Sequence, residues 1–483
     1  MKKFLALMLA VMLAASGALN AFAETADEDL PVRQGTHTPD GTPPEPPEGR
    51  FPGGPEGMGP PPDGALGHGG GFGGGTPPGG RSASFEYAAA AEITEAAELA
   101  DQTWTSGTAD ECALIVNTAD AVTILNPTVT KTGDSDGGDN CNFYGLNAAL
   151  LVMGGATTTI TGGTITSNAD GANGVFSYGG NSGRNGAAGD GTTVVISDTV
   201  ITTTGNGSGG IMTTGGGVTR ANNLTVTTSG RSSAAIRTDR GGGTVAVDGG
   251  TYTTNGLGSP AIYSTADIAV KNAALVSNLS EGVCIEGKNS ITLTDCDLTA
   301  GNTAMNGNAT FLDTIMIYQS MSGDADSGES HFTMTGGTLT SLSGHMFHVT
   351  NTHAVITLSH VNLVNEGSGV LLSVCDDGWH GASNIAELAA DGQALSGTIL
   401  VGSNSALTMT LRNGSSFEGT FSGEIVNAKG GTVSETVGEV HVILDGTSTW
   451  TLTADTYITS LEGDLAQVIG SGYSLYVNGV KVN

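Results

Sequence analysis

The chain has 483 residues, 77 of them glycine, and its 47 acidic side chains outnumber 16 basic ones. Such acidity repels nucleic acid and anionic lipid surfaces, so neither is an expected partner. Abundant glycine and threonine, charged residues at only 13% and few aromatics predict an all-β protein poor in helix.

Residues 1–23 read as a cleaved signal peptide. Lys2 and Lys3 precede the apolar run FLALMLAVMLAA, and Ala21-Phe22-Ala23 supplies a small-x-small cleavage site. That run is too short to span a bilayer, and no later segment is long and apolar enough. The expected product is secreted or displayed on a bacterial surface, with no membrane insertion. Without Lys2 and Lys3, 14 basic residues face 47 acidic ones, a net charge of −33. Residues 24–82, with GTPPEPPEGRFPGGPEGMGPPPDG and GHGGGFGGGTPPGG, cannot bury a core and read as a disordered Pro/Gly-rich tether. Their glycine patterns open no strand-helix unit and carry no nucleotide-binding signal.

From residue 83 the chain repeats itself. A local pattern centred on Ile165 in GGTITSNADGANGVF recurs at Trp104, Val129, Ile201, Val226, Tyr252, Leu275, Leu298, Leu339 and Leu363. The short spacings are 23 to 26 residues, and longer ones contain insertions. Five residues before each anchor stands an apolar residue: Leu99, Ile124, Ile160, Ile196, Ala221, Val247, Val270, Leu293, Met334 and Leu358. Three residues before it stand Asp101, Asn126, Gly162, Asp198, Asn223, Gly249, Asn272, Asp295, Gly336 and His360. All but His360 are residues that tolerate positive φ at little cost. Ten residues after the anchor, Leu114, Val175, Ile211, Ile236, Ile262, Ile285 and Val349 mark a third strand. Each unit is therefore strand, sharp bend, strand, glycine-rich turn, strand. No unit can bury its own apolar face, but stacked units can. Ten coils about 4.8 Å apart would make a rod of roughly 50 Å.

This pattern resembles the pectate-lyase-like superfamily over about residues 90–395. The resemblance implies a single-stranded right-handed parallel β-helix, a β-solenoid, occupying residues 83–395. Residues 396–483 are expected to continue and cap it. There, LDGTSTWTLTADTYITSLEGD resembles strand-turn repeats of autotransporter passenger domains and surface adhesins.

The superfamily includes polysaccharide lyases and glycoside hydrolases. The hydrolases carry several aspartates on adjacent coils with downstream G-H-G and R-I-K motifs. Here Asp376-Asp377 and His380-Gly381 in CDDGWHG have the wrong spacing, and Arg412 is the only later arginine. Arg231, Arg237, Asp239 and Arg240 form the densest polar cluster, without a second acidic group in register. No catalytic residue is assigned, and the expectation is a binder of carbohydrate or another surface polymer that is not an enzyme. A lyase or hydrolase is the alternative, followed by a structural stalk or an ice-binding-like threonine ladder. The ladder rests on T-x-T pairs such as Thr164/Thr166 and Thr251/Thr253, and Val200, Ala274, Asp297 and Asn362 interrupt it.

Insertions follow the third strand at 179–191, 319–331 and 376–384, and the alignment puts them on one edge of the rod. They are expected to present Tyr178, Arg184, Arg237, Arg240, Asp376, Asp377, Trp379 and His380 as a sugar-binding surface, with Trp379 either exposed for stacking or packed under its own loop. Asp134, Asp136 and Asp139, and likewise Asp324, Asp326 and Glu329, form glycine-flexible acidic loops of the kind that hold Ca2+, though neither fits an EF-hand. Solvated acidic loops are the plainer account of both. Five cysteines show no C-x-x-C and no metal-ligand spacing; Cys112 and Cys141 are the one pair that suggests a disulfide.

Overall fold

The computed structural model describes residues 86–483, apart from 182–187 and Met321. The signal-peptide and tether assignments and Arg184 lie outside these described residues. The stretch that repeats along the sequence is one coil of a parallel β-helix. In one coil, Thr157–Thr161 runs to a bend at Gly162, Thr164–Asn168 follows, and Val175–Tyr178 closes the turn. Corresponding strands of successive coils pair in parallel. First and second strands together make a bent sheet of 22 strands, and third strands make a sheet of 15.

Pairing registers bear out the columns read from the repeat. Leu99, Ile124, Ile160, Ile196, Ala221, Val247, Val270, Leu293, Met334 and Leu358 are successive Cα partners. The anchors from Trp104 to Leu363 form a second unbroken row. Apart from Leu99 at the N-terminal end, both rows enter one continuous apolar interior, with only the end residues Trp104 and Leu363 partly exposed among the anchors. Further along, Phe417, Phe421 and Trp450 fill that interior, and the Trp450 indole N–H donates to the Gly419 carbonyl at 3.1 Å.

All ten bend positions have positive φ, between 50° and 72°, including His360 at 55°. An L-residue pays roughly 1–2 kcal/mol for that conformation, less for asparagine, aspartate and glycine. The residue after the bend meets a second restriction. A Cβ on Gly163 would lie 2.2 Å from the Pro127 carbonyl of the preceding coil, so close stacking itself requires glycine there.

One row departs from its expected frame. Val175, Ile211, Ile236 and Ile262 pair onward with Val283, Ile315 and Phe347. Ile285 and Val349 stand two residues further along the same face, because the turns before these strands are two residues shorter than the one between Ile165 and Val175.

The two sheets differ on their outer faces. Strands of the bent sheet alternate between buried and more exposed residues, as expected of a wall with one wet side. Its T-x-T pairs stack along the rod as rows, with Thr130, Thr166, Thr202, Thr227 and Thr253 in register before Val276 interrupts. The middle of the third-strand sheet is buried on both faces: all residues of Val175–Tyr178, Val283–Glu286 and Asp313–Tyr318 are inaccessible, whereas Ala394–Val401 and Ser416–Ser422 keep one face open. Three smaller apolar clusters outside the main interior explain this, for they pack Tyr87 and Tyr144, Trp379 of the 376–384 insertion, and Phe311 with Ile425 onto its outer face.

Candidate functional site

The insertions fold down onto the rod, and this changes the surface expected from the sequence. Trp379 is only 5% exposed and packs against Tyr318 with ring centroids 4.9 Å apart. It is a cover for the third-strand sheet, which decides for the packed placement and corrects the expectation of an exposed stacking ring. Tyr178, Arg237 and Asp377 are buried with it, while Asp376 and His380 remain exposed. Arg237 is held by Asp239 at 2.6 Å and lies over the Tyr263 ring. Arg240 reaches the Asp324 carboxylate through Nη2 at 2.6 Å and Nε at 3.1 Å, and its guanidinium covers Phe143 of the short helix Asp139–Tyr144. The structure thus joins Arg237 to Asp239 and Arg240 to Asp324, but as ion pairs binding loops to the wall rather than as an open platform.

Beneath the loops lies a set of acids not singled out in the sequence. Glu286 accepts hydrogen bonds from Tyr263 at 2.5 Å, Tyr318 at 3.1 Å, Ser322 at 3.2 Å and also Ser320. Glu281 accepts from Asn302 at 3.1 Å and from Ser280. Asp313 is fully buried, and its Oδ1 has no hydrogen-bond partner. Burial pushes all three carboxyls up; for Asp313 the neighbouring charges of Glu281 and Asp377 add to it. Burial likewise raises Asp239 to about 6 in spite of Arg237. The available signal was an acid inside an apolar strand, as in VCIEG and LDTIMIY, which must find partners or stay protonated.

Ser373, His348 and Asp377 make a further buried chain. Ser373 Oγ lies 2.7 Å from His348 Nδ1, and His348 Nε2 lies 3.3 Å from Asp377 Oδ2. The residue types are those of a nucleophile, base and orienting acid. Ser373 and His348 are fully inaccessible, however, and Phe311 packs on the imidazole at 4.8 Å. Asp377 also accepts from the Thr310 N–H and hydroxyl and from the Gly378 N–H, each at 2.7 Å. This network ties the 376–384 insertion to the wall.

An accessible concavity remains where two insertions meet the bent sheet. It is open, has a volume of about 310 Å3, and lies between residues 319–331 and 376–384. Gln319, Glu329, Asn351, His353 and Ser383 contribute polar groups to a lining whose accessible surface is mostly apolar. Pairing of Glu329–Thr335 with His353–Ser359, and of the latter with Asn384–Asp391, sets its charged rim. Glu329 lies 3.0 Å from His331 Nε2 and 3.5 Å from His353 Nδ1, and His353 Nε2 lies 3.1 Å from Glu387. Asn351, at φ 55°, fixes the walls: its side chain donates to the Gln319 carbonyl at 2.7 Å and accepts from the Ala382 N–H at 2.6 Å. Gln319 Oε1 is buried without a partner. Carboxylate, imidazole and amide groups converging on an open cleft are suited to binding hydroxyls. His353 and Gln319 were not legible as site residues, since two separate insertions must come together to make the cleft.

Four of the six acidic-loop carboxylates meet partners within the protein. Asp134 Oδ1 accepts the Asp170 N–H at 2.9 Å, Asp136 is exposed, and Asp139 begins the short helix. Asp324 is engaged by Arg240, Asp326 by Lys288 at 3.1 Å, and Glu329 by its histidines. Among the described residues, no three His, Cys, Asp or Glu side chains are grouped to hold a metal ion. All five cysteines are free and buried, so Cys112 and Cys141 are not joined.

No family model, curated protein or solved structure matches this chain. No helix among the described residues is long and apolar enough to cross a membrane.

Proposed function

We propose that this protein is an exported, cell-surface or secreted β-helix that binds carbohydrate without cleaving it, and that its coil belongs with the pectate-lyase-like superfamily. The observation that carries the reading is the cleft between residues 319–331 and 376–384, open to solvent and offering carboxylate, imidazole and hydroxyl groups beside apolar surface. Its carboxylates favour binding over hydrolysis. Glu329 and Glu387 are both engaged by His353, so each carboxylate is already committed to an imidazole, whereas a hydrolase needs one carboxyl as acid and one as base or nucleophile. The strongly acidic chain disfavours uronate-rich polymers, which leaves neutral or amino-sugar glycans as the expected ligands.

The test incubates the purified protein with plant and host glycans, with and without calcium, following retention and the appearance of new reducing ends. Retention without new ends is the expected result. New ends would overturn the non-cleaving reading and favour a lyase or hydrolase. Failure to be retained on any glycan would favour a structural stalk.

A further inference from the structure

A second surface lies beyond the cleft, near the C-terminal end of the rod. Thr456–Ile458 and Leu475–Val477 pair in parallel and place Tyr457 and Tyr476 side by side. Their rings stack with centroids 4.6 Å apart and planes within 13°. Alternation turns Thr456, Ile458 and Leu475 inward and leaves Tyr457 half exposed. No hydrogen bond from a described residue engages either hydroxyl. The antiparallel strand Val480–Lys481 sets Lys481 directly opposite Tyr476, and side chains directly opposite share a face.

Over the rest of the rod most large aromatics are enclosed, apart from Tyr87, Trp104 and Tyr144, which are partly exposed. Trp379, Trp450, Tyr178, Tyr252, Tyr263 and Tyr318 are all buried. Five of the eleven exposed large apolar side chains among the described residues fall between Tyr457 and Val480. This concentration is more than the scatter of single apolar residues that any surface shows.

We propose that Tyr457, its ring braced from behind by Tyr476, forms a stacking platform for a neutral polysaccharide, a second contact for a chain also held at the cleft. The proposal rests on the glycan-binding reading. A pyranose ring presents an apolar C–H face to an aromatic ring, while its hydroxyls seek polar groups at the edge. Lys481, Asn478 and Asp455, all exposed, supply such groups around the pair. Charge selects the occupant further: an anionic polymer is repelled by this acidic chain, and an apolar protein partner would leave those rim groups without hydrogen bonds. Three strand pairings separate Asn384–Asp391, beside the cleft, from Ser460–Glu462. At about 4.8 Å each, the axial separation is roughly 14 Å, within reach of a short run of linked sugars.

The experiment uses the full mature chain and measures retention on cellulose, xyloglucan, mannan and starch, with polygalacturonate as the anionic comparator. The double variant Tyr457→Ala/Tyr476→Ala should bind the retained neutral polymer about tenfold more weakly and bind short oligosaccharides unchanged. Tyr457→Trp should preserve binding, which separates stacking from any loss of fold. Unchanged polymer affinity in a folded double variant would overturn the platform and leave the cleft reading standing. A wild-type protein retained on no glycan would overturn both. Self-association of the wild type, abolished in the double variant, would assign the surface to a second copy and overturn the proposal.

Discussion

Asn223 donates its side-chain amide to the carboxylate of Asp198, one coil earlier and 2.7 Å away, while both residues hold positive φ at the bend. Asn126 and Asp101 repeat the arrangement at the same distance. The bend residue thus serves its own coil through its backbone and the adjacent coil through its side chain. Asn223→Ala should cost about 1–2 kcal/mol in urea unfolding, and Asn223→Gly less, because glycine restores the backbone freedom. Gly163→Ala should cost more than either, since its methyl group would collide with the Pro127 carbonyl.

The carboxyls beneath the insertions give stability a defined pH dependence. Burial, then Glu281 and Asp377, raise the Asp313 carboxyl above the usual range, and burial raises Asp239 to about 6. The folded protein keeps protons that the unfolded chain releases near pH 4, so this contribution weakens as pH rises through about 6 and beyond. His345 acts in the opposite sense: burial and His348 lower it to about 3, so its contribution is lost as pH falls below about 6.5. Thermal unfolding should therefore be most favourable for the native state under mildly acidic conditions. Asp313→Asn should raise the midpoint at pH 8 and leave it nearly unchanged at pH 4.5. Equal effects at both values would show that the carboxyl is ionised in the folded state.

Trp379 should act on the loop that carries it. Trp379→Ala removes the contact with Tyr318 and should admit protease into residues 376–384 while the coils stay folded by circular dichroism. Binding lost in this variant without loop cleavage would instead return the indole to the ligand surface.

Every thiol lies inside the structure. Burial pushes Cys112 up to about 12 and Cys141 up to about 11, which removes the reactive thiolate. A thiol reagent should find none of the five in the native protein and all five in denaturant. Three reactive thiols or fewer after denaturation, in place of five, would reveal a covalent pair.

The cleft makes a graded prediction. His353→Ala should weaken glycan retention several-fold by removing a lining group and freeing both glutamates it bridges. Glu329→Gln should weaken it less, since the amide still binds hydroxyls.

The coil was legible because its constraints are local and repeated. A bend that demands positive φ admits few residue types, and an interior row demands an apolar residue at a fixed offset. The frame slipped at Ile285 and Val349 because offsets counted through turns of changing length do not preserve register. The insertions were less legible for a different reason. Beside Asp376, Asp377 and His380, Trp379 has the composition of an exposed loop, and nothing local says that the loop folds down onto Tyr318. Glu329 was visible as an acid but not as the neighbour of His353, which a strand pairing 24 residues away supplies.

The parallel registers also determine how the rod would respond to force. Hydrogen bonds between coils run along its axis, so a load applied between its ends would part them one coil at a time. Each freed coil of about 25 residues could extend by roughly 80 Å. A rod only tens of ångströms long would then pay out many times its own length, absorbing work while the coils not yet reached keep their shape.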